Sequence, residues 1–344
     1  MRDCSRKFTV RTIKKMTDYK VLDAHACAER ILSIEHPLVV MHVRPDGDTV
    51  GSCAALMYIF HKLGKAPLWA CSDPIPERLE FLLKDYREAY RHEYYDSTVV
   101  TVDIPTKEQV GEIYDFLPKT DFMIDHHEVG TPFADHFIIP GASSAGEVVM
   151  MVCEELVKMG KITLDRELAY PLYAAISSDT GCFRYSNATA DTLRRGAELV
   201  DTGIDYADIN HRLFNSKTPR QIRAEGFVAE KINTAFGGKV AYATVTKRER
   251  DNLGVLMEHF ETAIDVARSV EFCEIALVVK ETDNGEYKAS LRSTGADVAK
   301  ICAMFGGGGH IKAAGCTVKT RRIEDACSSL LGKIKSTYYP DVEE

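Results

Sequence analysis

The sequence has little of what marks membrane-bound, disulfide-stabilised or nucleic-acid-coating proteins. Its 344 residues contain no apolar run near the ~18 residues that a membrane span needs. The ten cysteines include no Cys-x-x-Cys pair, which argues against a zinc or disulfide scaffold. The pattern predicts a protein of the reducing cytoplasm. A net charge of −8 argues against a protein that binds long nucleic acids through their phosphates. A small anionic ligand in a local pocket is compatible with that charge.

The chain is long enough for two domains that each bury a core. Residues 1–17 are basic and have no apolar segment, so they are predicted to form a solvated tail and not a secretory signal. We assign residues 1–200, including this tail, to a first domain. Residues 201–220 form a linker and hinge, and residues 221–344 form the second domain.

The hydrophobic pattern predicts an α/β first domain. Short apolar strands are expected at residues 38–43, 67–71, 98–103, 121–125 and 136–139, and helices at residues 52–63, 77–83, 144–158, 165–177 and 190–201. The first of these helices is expected to be capped by Thr49 or Ser52. Such alternation predicts a mostly parallel sheet with helices on both faces. The second domain, with strands at residues 239–246, 274–280, 286–292 and 314–319, is predicted to be smaller and α+β.

A dense group of ionisable side chains follows the first predicted strand. His42, Asp46 and Asp48 lie within seven residues, and we place them on a tight loop between strand and helix. Two carboxylates this close repel each other unless a cation neutralises them. Taken alone, the group could equally be a Pro-Asp-Gly turn beside an incidental histidine. The carboxyl end of a strand in an open α/β sheet is, however, where ligands bind.

Three further groups also come at the end of an apolar segment: Asp103, then Asp125-His126-His127, and then Asp179. Each aspartate alone could be a cap or turn residue, and the two histidines could be structural. Because four such groups occur, each at the end of an apolar segment, a purely structural role for all of them is improbable. Aspartate and histidine without a thiolate favour Mn²⁺ over structural zinc. Because the ligands are too many for one ion, we predict two ions that share an aspartate. Ions ~3.5–4 Å apart can supply hydroxide and stabilise displacement at phosphorus.

Together, these groups resemble the four motifs of the DHH phosphoesterases in order and spacing. The later run from Gly306 to Gly315, Gly-Gly-Gly-Gly-His-Ile-Lys-Ala-Ala-Gly, is similar to the signature of the DHHA1 domain. The layout is similar to the family branch of nanoRNases and adenosine 3′,5′-bisphosphate phosphatases. The resemblance therefore implies a hydrolase that converts oligomers of about two to five nucleotides to mononucleotides. It also implies activity on adenosine 3′,5′-bisphosphate.

The resemblance also implies the role of each site residue. One Mn²⁺ would be held by His42, Asp46 and Asp103, and the other by Asp48, Asp103, His126 and Asp179. Asp125 would orient a ring or a loop, and His127 would contact substrate phosphate and act as the general acid. The implied substrate-binding residues of the second domain are Arg292, Ser293, Gly307, Gly308, Gly309 and His310.

The expected partners are short RNA or DNA oligonucleotides or mononucleotide bisphosphates, with no membrane, and a homodimer is left open. One alternative is a phosphodiesterase for cyclic or linear dinucleotides. Another is a nucleotide-binding sensor that has lost the chemistry. Every metal-ligand position is filled in this sequence, which argues against the sensor.

Overall fold

A computed structural model describes residues 19–342 of the chain. It divides into two compact units, one reaching to Ser216 and the other beginning at Lys217. The division falls within the segment predicted as a linker, residues 201–220. The predicted basic tail, residues 1–17, lies outside the described residues.

The first unit is built on a five-stranded parallel sheet, as predicted. The strands are β1 (Pro37–Val40), β2 (Leu68–Ala70), β3 (Thr98–Val102), β4 (Thr120–Asp125) and β5 (Asp135–Ile138). Their order is β2-β1-β3-β4-β5, and every pairing is parallel. In this order the strand succession reverses direction between β1 and β3. Ligands of doubly wound folds bind in the crevice that opens at such a reversal.

Helices cover one face of this sheet, and 3-10 segments cover the other. The helices are α1 (Ala24–Ser33), α2 (Gly47–Lys62), α3 (Ala145–Lys158), α4 (Arg166–Asp179), α5 (Ala190–Asp201) and α6 (Tyr206–Asn210), followed by a π-helical turn at His211–Asn215. They share a core with Val39, Val100 and Ile124 of the sheet. The opposite face packs against the 3-10 segments Arg91–Asp96 and Lys107–Phe116; a further 3-10 segment is Glu77–Leu82.

Helix α2 begins earlier than the sequence pattern indicated, and this changes the position of Asp48. Asp46 is the N-cap, and its Oδ1 accepts the N–H groups of Asp48 (3.0 Å) and Thr49 (3.1 Å). The predicted cap at Thr49 or Ser52 is therefore wrong, since both residues lie inside the helix. Asp48 lies in its first turn and not in the expected loop. Aspartate is a strong N-cap, and a second carboxylate in the first turn is favoured by the helix dipole.

Helices α2 and α4 pack closely, which brings the start of α2 near the end of α4. Gly51 allows this contact, because a Cβ there would lie 2.8 Å from both Ala175 N and Pro171 O. A side chain at this position would therefore push the two helices apart.

The second unit is a smaller α+β domain, as predicted. Its strands are β6 (Asn233–Ala235), β7 (Val240–Val245), β8 (Ile275–Glu281), β9 (Tyr287–Ser293), β10 (Gly308–His310) and β11 (Ala313–Val318). They form one sheet in the order β10-β11-β9-β8-β7-β6, in which only β7 and β8 pair in parallel.

Helices of the second unit lie on both faces of its sheet. They are α7 (Pro219–Glu230), α8 (Lys247–Leu253), α9 (Ala263–Arg268), α10 (Val298–Ala303) and α11 (Ile323–Tyr338), with a 3-10 segment at Met257–Phe260. Helices α10 and α11 share a core with one face, and α7 and α9 with the other. Among residues 19–342, every helix is too short or too polar to span a lipid bilayer.

Candidate metal centre and active site

The structure brings all six predicted metal ligands together at the carboxyl ends of the central strands. His42 follows β1, Asp103 follows β3 and His126 follows β4. Asp46 and Asp48 come from the start of α2, and Asp179 is the last residue of α4. Ligand atoms lie within 4.8 Å of one another in one group of His42, Asp46 and Asp103 and in another of Asp48, His126 and Asp179. A third such group, Asp103 with His126 and His127, shares a residue with each of these two.

Two groups of ligands share Asp103. His42 Nε2 lies 3.8 Å from Asp46 Oδ1 and 3.5 Å from Asp103 Oδ2. His126 Nε2 lies 3.5 Å from Asp103 Oδ1 and 3.8 Å from the Oδ2 atoms of both Asp48 and Asp179. Ligands that are each ~2.0–2.2 Å from one ion lie roughly 3–3.8 Å apart when they are neighbours around it. The observed spacing therefore suits two adjacent ions.

Asp103 combines three features that are costly without a cation. Its φ is 61°, in the left-handed region that non-glycine residues seldom adopt, and its side chain is buried. Its Oδ1 accepts no hydrogen bond from the described residues. Strain costs on the order of 1–3 kcal/mol, and an unsatisfied buried oxygen adds a similar amount. A divalent ion would satisfy this oxygen, so the residues present fit two metal ions.

Backbone carbonyls contact the rings of both candidate histidine ligands. The Nδ1 of His42 lies 2.8 Å from Val43 O, and the Nδ1 of His126 lies 3.1 Å from Ala142 O. With the Nδ1–H donated to a carbonyl, the Nε2 of each ring faces the carboxylates and is the nitrogen left for a metal ion. Metal-binding histidines are commonly held in this way.

The segment that leads into α3 and includes its first two residues, residues 142–146, which we call the site loop, also holds Asp48. Its backbone N–H groups at Ala145 and Gly146 donate to Asp48 at 2.7 and 2.9 Å, and Ser52 Oγ donates at 3.1 Å. The site loop thus contacts ligands of the second group from two sides, through Ala142 O and through the N-terminus of α3.

A buried carboxylate that the sequence analysis missed fixes the site loop. Glu147 Oε2 accepts Ser143 N (2.9 Å), Ser143 Oγ (2.6 Å) and Thr192 Oγ1 (3.0 Å). Glu147 Oε1 accepts Arg195 Nη1 at 2.9 Å. The available signal was the pattern Ser144-x-x-Glu147, which marks a helix N-terminus; Ser144 is indeed the N-cap of α3.

Asp125 orients His127. Asp125 is buried, and its Oδ1 lies 2.7 Å from His127 Nδ1 and 2.8 Å from the backbone N of His126. Burial lowers the pKa of His127, but the hydrogen bond to Asp125 outweighs burial, so the net shift of this pKa is upward. A protonated, oriented imidazole is what a general acid requires.

The cluster holds an excess of buried negative charge. Burial, together with nearby carboxylates, raises the pKa of Asp48 and raises that of Asp179 to about 7. Burial lowers the pKa of His42 and His126, but their contacts with Asp103 and neighbouring carboxylates outweigh it and raise both values to about 11. Protons thus partly balance the carboxylates in the metal-free protein, and bound cations would replace them.

The predicted substrate-binding residues of the second unit do not all lie on one surface. Arg292 and Ser293 are consecutive in β9, so their side chains leave opposite faces of the sheet. Ser293 is buried, and its hydroxyl donates to Ala296 O. Ser290 and Lys288, by contrast, share the face of Arg292. The geometry therefore offers Arg292 to a ligand more readily than Ser293.

The glycine run leads into β10 (Gly308–His310), an edge strand of the second sheet. Gly307 lies against β11, since a Cβ there would be 2.2 Å from Gly315 O. Gly308 is exposed, with nothing within 4 Å of an added Cβ. The backbone of His310 lies in β10, and its side chain lies outside what the structure describes. Backbone N–H groups on a sheet edge without side chains can approach an anion closely.

A parallel sheet with aspartate and histidine ligands at its reversal point, followed by a mixed-sheet unit, is the layout expected of DHH phosphoesterases. The family model described as DHH family, N-terminal domain, matches residues 37–176, and the DHHA1 domain matches residues 237–336. The chain belongs to the DHH family, which confirms the resemblance seen in its motifs.

Several curated relatives share nearly the whole length of the chain. The bifunctional oligoribonuclease and PAP phosphatase NrnA of Thermus thermophilus is 30% identical over 315 residues, which cover 90% of this chain and 92% of that protein. The protein of the same name from Bacillus subtilis is 24% identical, with coverage of 84% and 91%.

Solved structures show the same fold. An exopolyphosphatase-related protein from Bacteroides fragilis has a TM-score of 0.82 at 22% identity, with coverage of 91% of this chain and 96% of that one. RecJ from Thermus thermophilus in complex with Mn²⁺ has a TM-score of 0.51 at 13% identity, with coverage of 91% and 53%.

Proposed function

We propose that this protein is a metal-dependent phosphoesterase that hydrolyses short oligonucleotides to mononucleotides and also dephosphorylates adenosine 3′,5′-bisphosphate. The observation that carries the proposal is the pair of aspartate and histidine groups joined by Asp103. The names of the relatives from Thermus thermophilus and Bacillus subtilis support the same pair of substrates. We also propose that the protein works in the cytoplasm.

We assign the ligands of two Mn²⁺ ions by group: His42, Asp46 and Asp103 for one, and Asp48, Asp103, His126 and Asp179 for the other. Oxygen and imidazole ligands without thiolate support this choice of metal, as does the manganese bound to the RecJ neighbour. When bound, such ions activate water and neutralise charge that develops at phosphorus.

We assign proton transfer to a residue of the first unit and substrate binding to residues of the second. His127, held by Asp125, donates a proton to the leaving oxygen. Arg292 pairs with a substrate phosphate, because its planar guanidinium matches phosphate oxygens. The backbone of Gly307, Gly308 and Gly309 approaches the same class of ligand, and His310 is assigned to it from the family motif.

Incubating the protein with a labelled dinucleotide, in Mn²⁺ or in chelator, tests the function. We expect mononucleotide products in the sample with Mn²⁺ and none in the sample with chelator. Asp103→Asn should abolish hydrolysis and keep the fold, since asparagine tolerates a positive φ. Asp115→Asn, the same change at an exposed position, is the matched control. Unchanged dinucleotide in both tubes would indicate the nucleotide-binding sensor instead.

A substrate panel separates the proposed enzyme from a dinucleotide phosphodiesterase. It contains RNA and DNA oligomers of graded length, adenosine 3′,5′-bisphosphate and a cyclic dinucleotide. We expect the short linear oligomers and the bisphosphate to be hydrolysed. Hydrolysis of the cyclic dinucleotide alone would overturn the proposed substrate class.

A further inference from the structure

Two lysines face each other on the sheet of the second unit. Lys280 of β8 pairs directly with Lys288 of the antiparallel strand β9. The side chains of such a pair leave the same face, with Cβ atoms roughly 4.5–5.5 Å apart, and like charges in this position destabilise a sheet. The strand pairing therefore places two positive charges where repulsion is strong.

Lys280 is also nearly inaccessible, with 6% of its surface exposed. Among residues 19–342, no carboxylate lies within 4.0 Å of its ammonium group. Burial, followed by the charge of Lys288, lowers the pKa of Lys280 to about 8; Glu261 opposes this shift in part and Arg292 adds to it. A buried lysine without a counter-ion is a candidate for a functional role.

The surroundings show which side of Lys280 is open. On its own face, Ala276 and Val278 of β8 belong to the core under α7 and α9. On the neighbouring strand, Lys288 is exposed and Ser290 is partly exposed. Lys280 thus lies where the covered part of the face gives way to an open, basic part. If Lys280 only packed its aliphatic stem, an uncharged side chain would serve without the repulsion.

Arg292 lies on the same open face, four residues along β9 from Lys288. Strand residues advance about 3.4 Å each, so the two Cα atoms are roughly 14 Å apart. This spacing leaves room for separate phosphates at Arg292 and at the lysine pair. An oligonucleotide that carries a further phosphate along its backbone could occupy both positions.

We propose that Lys280 and Lys288 form a second phosphate subsite, which binds an internucleotide phosphate of oligomers longer than a dinucleotide. This inference rests on the proposed function, because it assigns these residues to the same class of substrate. The subsite stabilises binding of longer oligomers and makes affinity depend on the number of phosphates.

The test compares Lys280→Met, which keeps the length and apolar stem of the side chain, with Lys280→Arg, which keeps the charge. Lys333→Met, at an exposed position of α11, is the control for losing one positive charge. KM and kcat are measured with 5′-phosphorylated di-, tri- and tetranucleotides. Lys280→Met should raise KM for the tetranucleotide roughly tenfold, and much less for the dinucleotide. Lys280→Arg should restore most of the loss, and Lys333→Met should match the parent protein.

Binding in chelator gives a readout that does not depend on hydrolysis. Anisotropy of a labelled tetranucleotide is followed at several salt concentrations. Loss of one phosphate contact should reduce the slope of log affinity against log salt by about 0.7. Thermal melting checks that Lys280→Met folds, and Lys288→Met provides a second variant at an exposed position.

The outcomes separate this inference from the proposed function. Equal KM changes for di- and tetranucleotide, or an unchanged salt slope in both lysine variants, would overturn the subsite. Absence of hydrolysis by the parent protein with every metal would overturn the proposed function, while the anisotropy measurement would still decide whether Lys280 binds phosphate.

Discussion

Glu147→Gln should weaken metal binding even though Glu147 contacts none of the proposed metal ligands through its side chain. Its carboxylate accepts hydrogen bonds from Ser143, Thr192 and Arg195. These bonds hold the site loop (residues 142–146), which in turn contacts His126 and Asp48. Glutamine keeps the shape of the side chain, but it turns one acceptor into a donor and removes the negative charge.

The size of the effect follows from the hydrogen bonds that are lost. Hydrogen bonds to a charged group are worth about 1.5–3 kcal/mol each, and the amide keeps at most part of the set. Arg195 retains its second partner, Glu154, at 3.0 Å, so its charge is not left uncompensated. We therefore expect the free energy of unfolding to fall by about 3 kcal/mol. For a unit of this size, that corresponds to a melting temperature roughly 6–12 °C lower.

Metal affinity is expected to fall by about 10–100-fold, as is usual when the partner of a ligand is disturbed. Titration of the metal-free protein with Mn²⁺, well below its melting temperature, measures this change. Glu155→Gln is the matched control, because Glu155 lies in the same helix and pairs at 2.6 Å with the exposed Lys158. Such a surface pair contributes less than about 1 kcal/mol.

A second control separates loss of stability from loss of orientation. Leu156→Ala, at a fully buried position of α3, should cost about 2–5 kcal/mol and leave metal affinity unchanged. If Glu147→Gln bound Mn²⁺ as tightly as the parent, or if Leu156→Ala weakened binding equally, the assigned role of Glu147 would be refuted.

Three further predictions concern proton transfer, pH and packing. Asp125→Asn should lower kcat at least tenfold with little change in Mn²⁺ affinity, because it releases the ring of His127 and leaves the proposed metal ligands in place. Steady-state kinetics and Mn²⁺ titration measure the two quantities, and equal losses in kcat and in affinity would contradict this prediction. In the metal-free protein, burial lowers the pKa of His42 and His126, but carboxylate contacts raise both to about 11. Both rings are therefore charged at pH 7, and metal must displace their protons, so affinity should rise with pH by up to about tenfold per unit for each proton displaced. Calorimetry in buffers of different protonation enthalpy should detect proton release, and its absence would be contrary evidence. Gly307→Ala should destabilise the second unit by about 1–3 kcal/mol, because its Cβ would meet Gly315 O at 2.2 Å. Gly308→Ala, where the space is open, should melt within about 2 °C of the parent.

The clustering of the proposed metal ligands was predictable because their positions follow from strand geometry. His42, Asp103 and His126 each follow an apolar strand within two residues, and the carboxyl ends of parallel strands meet at one edge of a sheet. No knowledge of distances was needed to place them together. What the pattern could not give was the division into two groups, because that depends on which oxygen of Asp103 faces which histidine.

The cap of α2 was mispredicted because the same residues fit two local structures. Pro45-Asp46-Gly47 is typical of a turn, and the first apolar residues come later. In the structure the Asp46 side chain binds the N–H groups of Asp48 and Thr49, so the turn becomes the first turn of a helix. Whether Asp46 closes a turn or caps a helix depends on packing against the rest of the unit.

The assignment of Arg292 and Ser293 to one substrate-binding surface could have been rejected from the sequence alone. Adjacent residues of a strand point to opposite faces, so a predicted strand over both positions already separates their side chains. Glu147 is a different case. Its spacing from Ser144 indicated a helix start, but its partners Thr192 and Arg195 are more than 40 residues away in sequence. Long-range contacts of this kind carry no local signal.

The termini of the surrounding helices act differently on two carboxylates of the second ligand group, Asp48 and Asp179. Asp48 accepts N–H groups from the start of α3, where the helix dipole favours negative charge. Asp179 is the last residue of α4, where the dipole opposes negative charge. The helix termini thus favour the negative charge of one carboxylate of the second group and oppose that of the other. A cation between them would relieve the destabilised carboxylate without losing the stabilised one. The position of α4 therefore makes a cation at this group more favourable than the carboxylates alone would.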